Sequence, residues 1–259
     1  MSPLMMDETA CSNPVSGARK KWHLWDDQET VDIYAGLARL HTRLAPYFEA
    51  LAREAHATGV PIMRHPFLYH PREPEAWAEE SSFYLGPSLY TSPVVYRGRT
   101  TKDAWLPPGK WVDFADFTVY EGSKRAVLPA PLAKLPLLVK DGAIVPLMDG
   151  SVDTLVPATD PTVVSMQQVA DRLDVVVALS PGKEATFTLA DGTVLVARRK
   201  TAGGCLVARD EGMVARLRVT TPLTATSELA HDDVELSARG PRARRVRWDV
   251  LRRNSCGRS

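Results

Sequence analysis

The sequence predicts a mainly β protein in which one helix-and-strand step precedes two modules of short strands. Apolar side chains recur at helical spacing over residues 28–58. From residue 82 onward the pattern changes to short apolar runs separated by turns rich in Gly and Pro, which is typical of a sandwich or barrel. Residues 149–161 are rich in Asp, Thr and Pro and are interpreted as a linker between the two modules.

The helical segment is expected to break once and then to end abruptly. Asp26 or Asp27 can cap its first turn. Pro46 lacks the amide proton that a helix interior needs, so the helix must kink or restart there. Gly59 suits the left-handed conformation that ends a helix, and residues 60–64 then form a predicted strand. Because this single step has few partners in the chain, we expect an uncovered apolar helix face that favours self-association.

The strands fall into two groups, and the first occupies residues 82–148. Its predicted strands are 83–85, 89–96, 103–106, 110–115, 126–128, 135–140 and 143–147. The second group, residues 162–259, has predicted strands at 173–179, 185–189, 193–198, 215–219 and 246–250. Asp191-Gly192, between two of them, is the strongest hairpin signal in the chain. Residues 1–21 show no periodicity and are expected to form a loop or a disordered terminus.

Composition argues against several classes of partner. The chain contains 32 Lys plus Arg and 31 Asp plus Glu, and this balance argues against a nucleic-acid or membrane partner. Cys11, Cys205 and Cys256 are far apart and have no metal-ligand spacing. Glycine-rich phosphate loops are absent as well, so no cofactor and no metal is predicted. The first residues lack a secretory signal pattern and no apolar run is long enough to span a bilayer, which favours a cytoplasmic location.

Several motifs occur in a fixed order along the first half of the chain. They are Leu44-Ala45-Pro46-Tyr47-Phe48, Glu54-Ala55-His56, Gly59-Val60-Pro61-Ile62-Met63-Arg64, Leu85-Gly86-Pro87-Ser88-Leu89, Leu106-Pro107-Pro108-Gly109-Lys110-Trp111-Val112-Asp113-Phe114 and Gly142-Ala143-Ile144-Val145-Pro146. Their order and spacing over residues 22–148 resemble glycoside hydrolase family 31, which contains α-glucosidases and α-xylosidases. The second β module is similar to the C-terminal β domain of that family, but more weakly.

The resemblance implies a (β/α)8 barrel followed by two β-sandwich domains. Residues 22–81 would then be the end of the barrel, with a helix over 28–58 and the eighth strand over 60–69. Residues 82–148 would form the proximal sandwich and residues 162–259 the distal one. This layout accounts for the single helix-and-strand step, and it implies that the chain begins inside the barrel.

The catalytic residues of such an enzyme are not expected in this chain. Retaining cleavage of a glycosidic bond needs two carboxylates about 5 Å apart, and the resemblance implies that both lie on barrel strands upstream. Asp113 lies in a Trp-Val-Asp-Phe motif similar to the nucleophile motif of the family, but its flanking residues match the sandwich instead. The adjacent pairs Asp26-Asp27 and Asp232-Asp233 are interpreted as a helix cap and a polar turn.

Arg64 and His65 are the remaining candidates for lining a sugar pocket, since the resemblance places them on the last barrel strand. For Arg64 a structural role, in which it bonds neighbouring strands or loops, is the alternative. His65 occupies a position where the family has proline. His41 and His56 lie on the predicted helix and are interpreted as polar surface or partly buried residues.

Two functions are compatible with these features. The first is the C-terminal region of a family 31 glycoside hydrolase, which is inactive alone and binds an α-glucoside or α-xyloside only when its barrel is complete. The second is a stand-alone carbohydrate-binding or protein-interaction module. In that module an exposed Trp77, Trp105 or Trp111 would stack on sugar rings.

Overall fold

The computed structural model describes residues 24–170, 172–199, 213–220, 227–231, 234–239 and 246–247. The α-helices are α1 (Gln28–Arg43), α2 (Ala45–Thr58) and α3 (Pro74–Ala78), and short 3-10 turns lie at Leu24–Asp26, Pro66–Leu68 and Met166–Val169. The strands up to the predicted linker are β1 (Met63–Arg64), β2 (Phe83–Leu85), β3 (Leu89–Thr91), β4 (Thr101–Leu106), β5 (Lys110–Asp113), β6 (Val119–Glu121), β7 (Lys124–Pro129), β8 (Leu137–Lys140) and β9 (Ala143–Met148). After it come β10 (Arg172–Leu179), β11 (Glu184–Thr188), β12 (Val194–Arg199), β13 (Met213–Thr220), β14 (Ser227–His231), β15 (Val234–Arg239) and β16 (Val246–Arg247). The prediction of a mainly β fold is confirmed.

The helical segment begins, breaks and ends where its sequence indicates. The Asp27 carboxylate caps α1 by accepting a hydrogen bond from the Thr30 amide at 3.0 Å. Leu44 separates the two helices, and Pro46 lies in the first turn of α2, where an amide proton is not needed. Gly59 ends α2 with a φ of 76°, in the left-handed region. No helix in the described part of the chain is both long and apolar enough to cross a membrane.

The strands form a six-stranded sheet, two four-stranded sheets and a two-stranded sheet. The orders are β1-β2-β3-β8-β5-β6, then β16-β13-β10-β9 and β11-β12-β15-β14, and finally β4-β7. Neighbouring strands run antiparallel, as in the β10–β13 and β11–β12 pairs. β9 precedes the predicted linker yet pairs with β10, which follows it. The two β modules are therefore joined through one sheet, while the domain boundaries stay a prediction.

The apolar face of α2 is covered by the chain itself. Tyr47 and Leu51 are buried in one cluster with Leu89 of β3, Val145 of β9 and Val176 of β10. The Tyr47 hydroxyl donates a hydrogen bond to the Leu85 carbonyl at 2.7 Å. The expectation of an uncovered helix face is thus wrong for α2, because strands from both β modules pack against this helix.

The face of α1 is only partly covered. None of the α1 side chains is fully buried. Leu37 and Leu40 line an open groove of about 530 Å³ together with Phe114 and Leu135. The expected self-association through an exposed helix face stays a prediction, and the structure limits it to α1.

Strand β10 is apolar along nearly its whole length because both of its faces are covered. Val175 and Val177 pack in a cluster with the second four-stranded sheet, and Val176 packs in the cluster that contains α2. Asp174 is a charged residue in this buried strand. Arg43, at the end of α1, donates a hydrogen bond to its carboxylate at 2.5 Å.

A second aromatic core lies between the six-stranded sheet and the β4–β7 pair. It contains Tyr84, Tyr90 and Trp111, and the Trp111 indole donates a hydrogen bond to the Pro107 carbonyl at 2.8 Å. Trp111 is 0% exposed and Trp105 is 2% exposed. The expectation that these two tryptophans are available for sugar stacking is therefore wrong. Trp111 is enclosed between the six-stranded sheet and the β4–β7 pair, whereas Trp105 of β4 is buried in contact with the His70 ring.

Candidate functional site

The two sequence-predicted sugar-binding residues lie where β1 meets the connecting loop, which we define as residues 65–82 between β1 and β2. Arg64 ends β1 and His65 begins the loop. β1 is only two residues long and pairs antiparallel with β2, Arg64 opposite Tyr84. The predicted strand over residues 60–64 is therefore shorter than expected. Pro66 ends it, because proline cannot donate to a strand ladder, and a 3-10 turn follows.

All three side-chain nitrogen atoms of Arg64 donate hydrogen bonds within the protein. The residue is 2% exposed; Nε donates to the Pro61 carbonyl at 2.7 Å, and Nη2 donates to the Glu54 carboxylate at 2.7 Å. Nη1 donates to the Tyr69 hydroxyl. Although burial disfavours the charged guanidinium, the hydrogen bonds with Tyr69 and Glu54 raise the pKa of Arg64 above its usual value.

This geometry favours the structural alternative for Arg64. The residue ties α2, through Glu54, to the connecting loop, through Tyr69. A further contact between Arg64 and a sugar stays a prediction. Sequence patterns did not indicate Tyr69 as a partner, since a tyrosine five residues away in a loop has no characteristic spacing.

His65 also has both ring nitrogens engaged. Nδ1 accepts a hydrogen bond from the Phe67 amide at 3.3 Å, so the proton lies on Nε2. Nε2 then donates to the Glu79 carbonyl at 2.7 Å. His65 therefore joins the first part of the connecting loop to its last part. A direct role in sugar binding stays a prediction for this residue as well.

Trp77 presents an aromatic surface on the outside of the same loop. Its side chain is 60% exposed, as the binding-module alternative requires. The indole ring stacks on Phe67, with centroids 4.7 Å apart and an interplanar angle of 11°. Its N–H donates to the Pro71 carbonyl at 2.9 Å. Phe67 was not identified from the sequence, because residues ten positions apart meet only after the loop folds back.

The inner side of the loop rests on the aromatic core through His70. The His70 Nε2 lies 2.8 Å from the Tyr84 hydroxyl, and the imidazole meets Trp105 edge-on at 5.7 Å. Burial, together with the positive charge of Lys140, lowers the pKa of His70. Burial raises the pKa of Tyr84. Both groups are therefore neutral near pH 7 and serve to hold the loop against the sheet.

Asp113 is part of a turn and not of a cleft. It is fully buried, and its Oδ1 accepts a hydrogen bond from the Ala115 amide at 2.8 Å. The Lys134 ammonium lies 2.9 Å from Asp113 and 2.7 Å from Asp116. Despite some burial, hydrogen bonds from Lys134 and Thr118 lower the pKa of Asp116 to about 2. These contacts of one ammonium with two carboxylates agree with the interpretation of Asp113 as a structural residue.

The other candidates from the sequence are partly outside the described residues. His56 is exposed on α2, whereas His41 is half-buried with its ring 5.3 Å from that of Phe48. Asp232 and Asp233 lie outside the described residues, as do the three cysteines. Over the part of the chain that the structure describes, no group of three or more His, Cys, Asp or Glu side chains is placed to hold a metal ion.

The region that contains the connecting loop matches the model of a known protein family. Residues 59–145 match the family model described as the glycosyl hydrolase family 31 C-terminal domain. Over about a third of its length, the chain is therefore similar to the glycosyl hydrolase family 31 C-terminal domain. This region covers β1 to β8 and includes the connecting loop, Trp77 and Asp113.

Curated relatives agree with the family 31 assignment. The chain is 35% identical over 149 residues to a probable α-glucosidase of Oryza sativa, which covers 56% of this chain and 16% of the relative. It is 33% identical over 135 residues to α-xylosidase 1 of Arabidopsis thaliana, covering 51% of this chain and 14% of the relative. The matched part is thus about one sixth of the length of these family 31 proteins.

Solved family 31 structures share the fold over a longer part of the chain. An α-xylosidase from Xanthomonas citri superposes with a TM-score of 0.57 and 24% identity, over 81% of this chain and 23% of that one. A dextranase from Flavobacterium johnsoniae, solved with glucose, gives a TM-score of 0.50 and 22% identity, over 84% of this chain and 32% of that one. At this identity the likeness shows the fold alone.

Proposed function

We propose that this chain is the C-terminal region of a retaining family 31 glycoside hydrolase that acts on α-glucosides or α-xylosides. In this proposal the catalytic carboxylates belong to a (β/α)8 barrel, and the described residues alone do not hydrolyse glycosides. The observation that carries the proposal is the match of residues 59–145 to the C-terminal domain of the family. The names of the two curated relatives, an α-glucosidase and an α-xylosidase, support the substrate class.

The aspartates of the described region support the absence of catalysis in this part of the protein. A nucleophile must be able to reach the anomeric carbon of a bound sugar. Asp113 is fully buried, and its carboxylate is already bonded to a turn amide and to Lys134. Asp27 is bonded to the first turn of α1 as its cap. The buried Asp113 therefore has no free path to a substrate, and the exposed Asp27 carboxylate is used by its capping hydrogen bonds.

We further propose that α1, α2 and β1 are the last helix-and-strand step of the barrel. Among the described strands, β1 lies at the edge of the six-stranded sheet, so its outer side could pair with a strand of the barrel. The groove along α1 is lined by Ile33, Leu37 and Leu40 and lies open to a packing partner. In the complete enzyme Arg64 and His65 would then fix the connecting loop beside the sugar pocket and present it to the substrate.

Two measurements test the proposed function. The purified chain should hydrolyse p-nitrophenyl α-glucoside and p-nitrophenyl α-xyloside only at the rate of a buffer control. A chimera, in which residues 22–259 replace the corresponding region of an active family 31 α-xylosidase, should fold and hydrolyse one of these substrates. The matched control is the same chimera with the catalytic nucleophile of the α-xylosidase replaced by alanine. Hydrolysis by the chain alone, or a chimera that is insoluble or inactive, would contradict the proposal.

A further inference from the structure

We propose that Trp77, supported by Phe67, is a sugar-stacking platform that binds a pyranose unit of an α-glucoside chain away from the point of cleavage. The choice of sugar rests on the proposed function, whereas the platform itself rests on the geometry of the connecting loop. The stack lies between the 3-10 turn at Pro66–Leu68 and helix α3. No residue used in the proposed function above forms this surface.

The Trp77 ring is held in one orientation before any ligand arrives. Phe67 covers one face of the indole, at 4.7 Å and 11°. The N–H is fixed by its hydrogen bond to the Pro71 carbonyl. Phe67 is itself positioned by His65, whose ring lies 4.8 Å away and whose Nδ1 accepts from the Phe67 amide. A ring fixed in this way loses little conformational entropy on binding, so more of the contact energy remains as affinity.

Only one surface of Trp77 remains for a ligand, and its shape suits a pyranose. One face is against Phe67 and the polar edge is used, so the 60% exposure of the side chain comes mainly from the opposite face. A glucopyranose ring has an apolar face of axial C–H groups surrounded by hydroxyl groups. Such a face can lie flat on the indole and remove both surfaces from water while its hydroxyl groups stay solvated.

The surroundings of Trp77 favour a sugar over a protein partner. Exposed charged residues lie close to it in the chain, namely Arg72, Glu75 and Glu80. Acidic residues such as Glu75 and Glu80 are depleted in protein interfaces, where desolvation is costly. The same groups can donate to or accept from sugar hydroxyls without leaving water. An exposed apolar ring with charged side chains nearby in the chain suits a pyranose, whose apolar face is surrounded by hydroxyl groups.

Binding to the full-length chain tests the platform directly. Maltotriose and isomaltotriose are titrated into the wild-type chain, and binding is followed by saturation-transfer NMR and by tryptophan fluorescence. Trp77→Ala should weaken binding about tenfold or more, which corresponds to about 1.4 kcal/mol. Trp77→Tyr, which keeps a flat ring, should retain most of the affinity. Trp25→Ala removes another exposed tryptophan, 67% exposed and remote in sequence, and should change nothing.

Three results would reject the proposed sugar-binding role of Trp77. The first is that the wild-type chain binds neither trisaccharide, and the second is that wild type and Trp77→Ala bind with equal affinity. A third is a Trp77→Ala variant that keeps sugar binding but alters self-association in sedimentation, which would make Trp77 a protein contact. The test is separable from that of the proposed function. An active chimera without Trp77-dependent binding rejects only the platform, whereas Trp77-dependent binding with an inactive chimera rejects only the proposed function.

Discussion

A substitution at Gly86 tests the packing that joins α2 to the six-stranded sheet. Gly86 follows β2, has a φ of 59°, and donates its amide to the Ile62 carbonyl at 2.8 Å. A Cβ atom at this position would lie 2.6 Å from Leu51 Cδ2 and 2.6 Å from the Tyr47 hydroxyl oxygen. Both neighbours are buried side chains of α2, so each must shift to accommodate the added methyl group.

The expected cost of Gly86→Ala has two parts. A left-handed backbone costs an L-amino acid about 1–2 kcal/mol relative to glycine. Forcing a methyl group into a packed core adds about 1–3 kcal/mol. We therefore expect a loss of about 2–5 kcal/mol in the free energy of unfolding. Gly59→Ala is the matched control, since Gly59 has a φ of 76° but open space within 4 Å of the position that a Cβ atom would take.

Urea unfolding followed by tryptophan fluorescence measures both variants. With a urea dependence of about 2 kcal/mol per molar, a loss of about 3 kcal/mol lowers the midpoint by about 1.5 M. Gly59→Ala should lose only the backbone part, about 1–2 kcal/mol. The steric reasoning is refuted if the two alanine variants unfold at the same urea concentration.

Two further predictions concern buried charges. Arg64→Met should lower the free energy of unfolding by about 2–4 kcal/mol because it leaves Glu54 and the Pro61 carbonyl without their partner. Arg53→Met, which breaks an exposed pair with Glu49 on the same helix, should change it by less than about 0.5 kcal/mol in the same urea experiment. Burial alone would raise the pKa of Asp141, but hydrogen bonds from Lys183 and Ser180 lower it below 3.8. The ionised Asp141 carboxylate therefore stabilises the fold above pH 3.8, and this stabilisation is lost as the pH falls through the lowered pKa. The difference in the free energy of unfolding between wild type and Asp141→Asn should thus shrink on acidification. A difference that grows below pH 3.8 would contradict this sign.

The local features of the helical segment were predictable because they depend on neighbouring residues only. Asp27 caps α1, Pro46 starts a new helix, and Gly59 ends it, as the chemistry of each residue requires. The Asp191-Gly192 hairpin is of the same kind: Gly192 has a φ of 83° between β11 and β12. Such preferences act over a few residues and can be read without the tertiary fold.

The candidate site was only partly predictable. Arg64 and Trp77 were identified as residues of interest, but Tyr69 and Phe67 were not, although they determine what each can do. Trp105 was expected at the surface and is buried. Alternation along one strand shows that two faces differ, but it does not show whether another strand pair covers the second face.

The sequence by itself determined the mainly β class, the helix break and end, and the resemblance to family 31, because these depend on local chemistry and on ordered motifs. Only the tertiary structure decided that the apolar face of α2 is covered while α1 borders an open groove, since strands distant in the chain pack against α2. It also decided that every side-chain nitrogen of Arg64 forms a hydrogen bond within the protein, and that the exposed Trp77 ring is held in place by Phe67. Those properties arise from contacts between residues distant in the chain or folded back within a loop, and no local pattern encodes which of them meet.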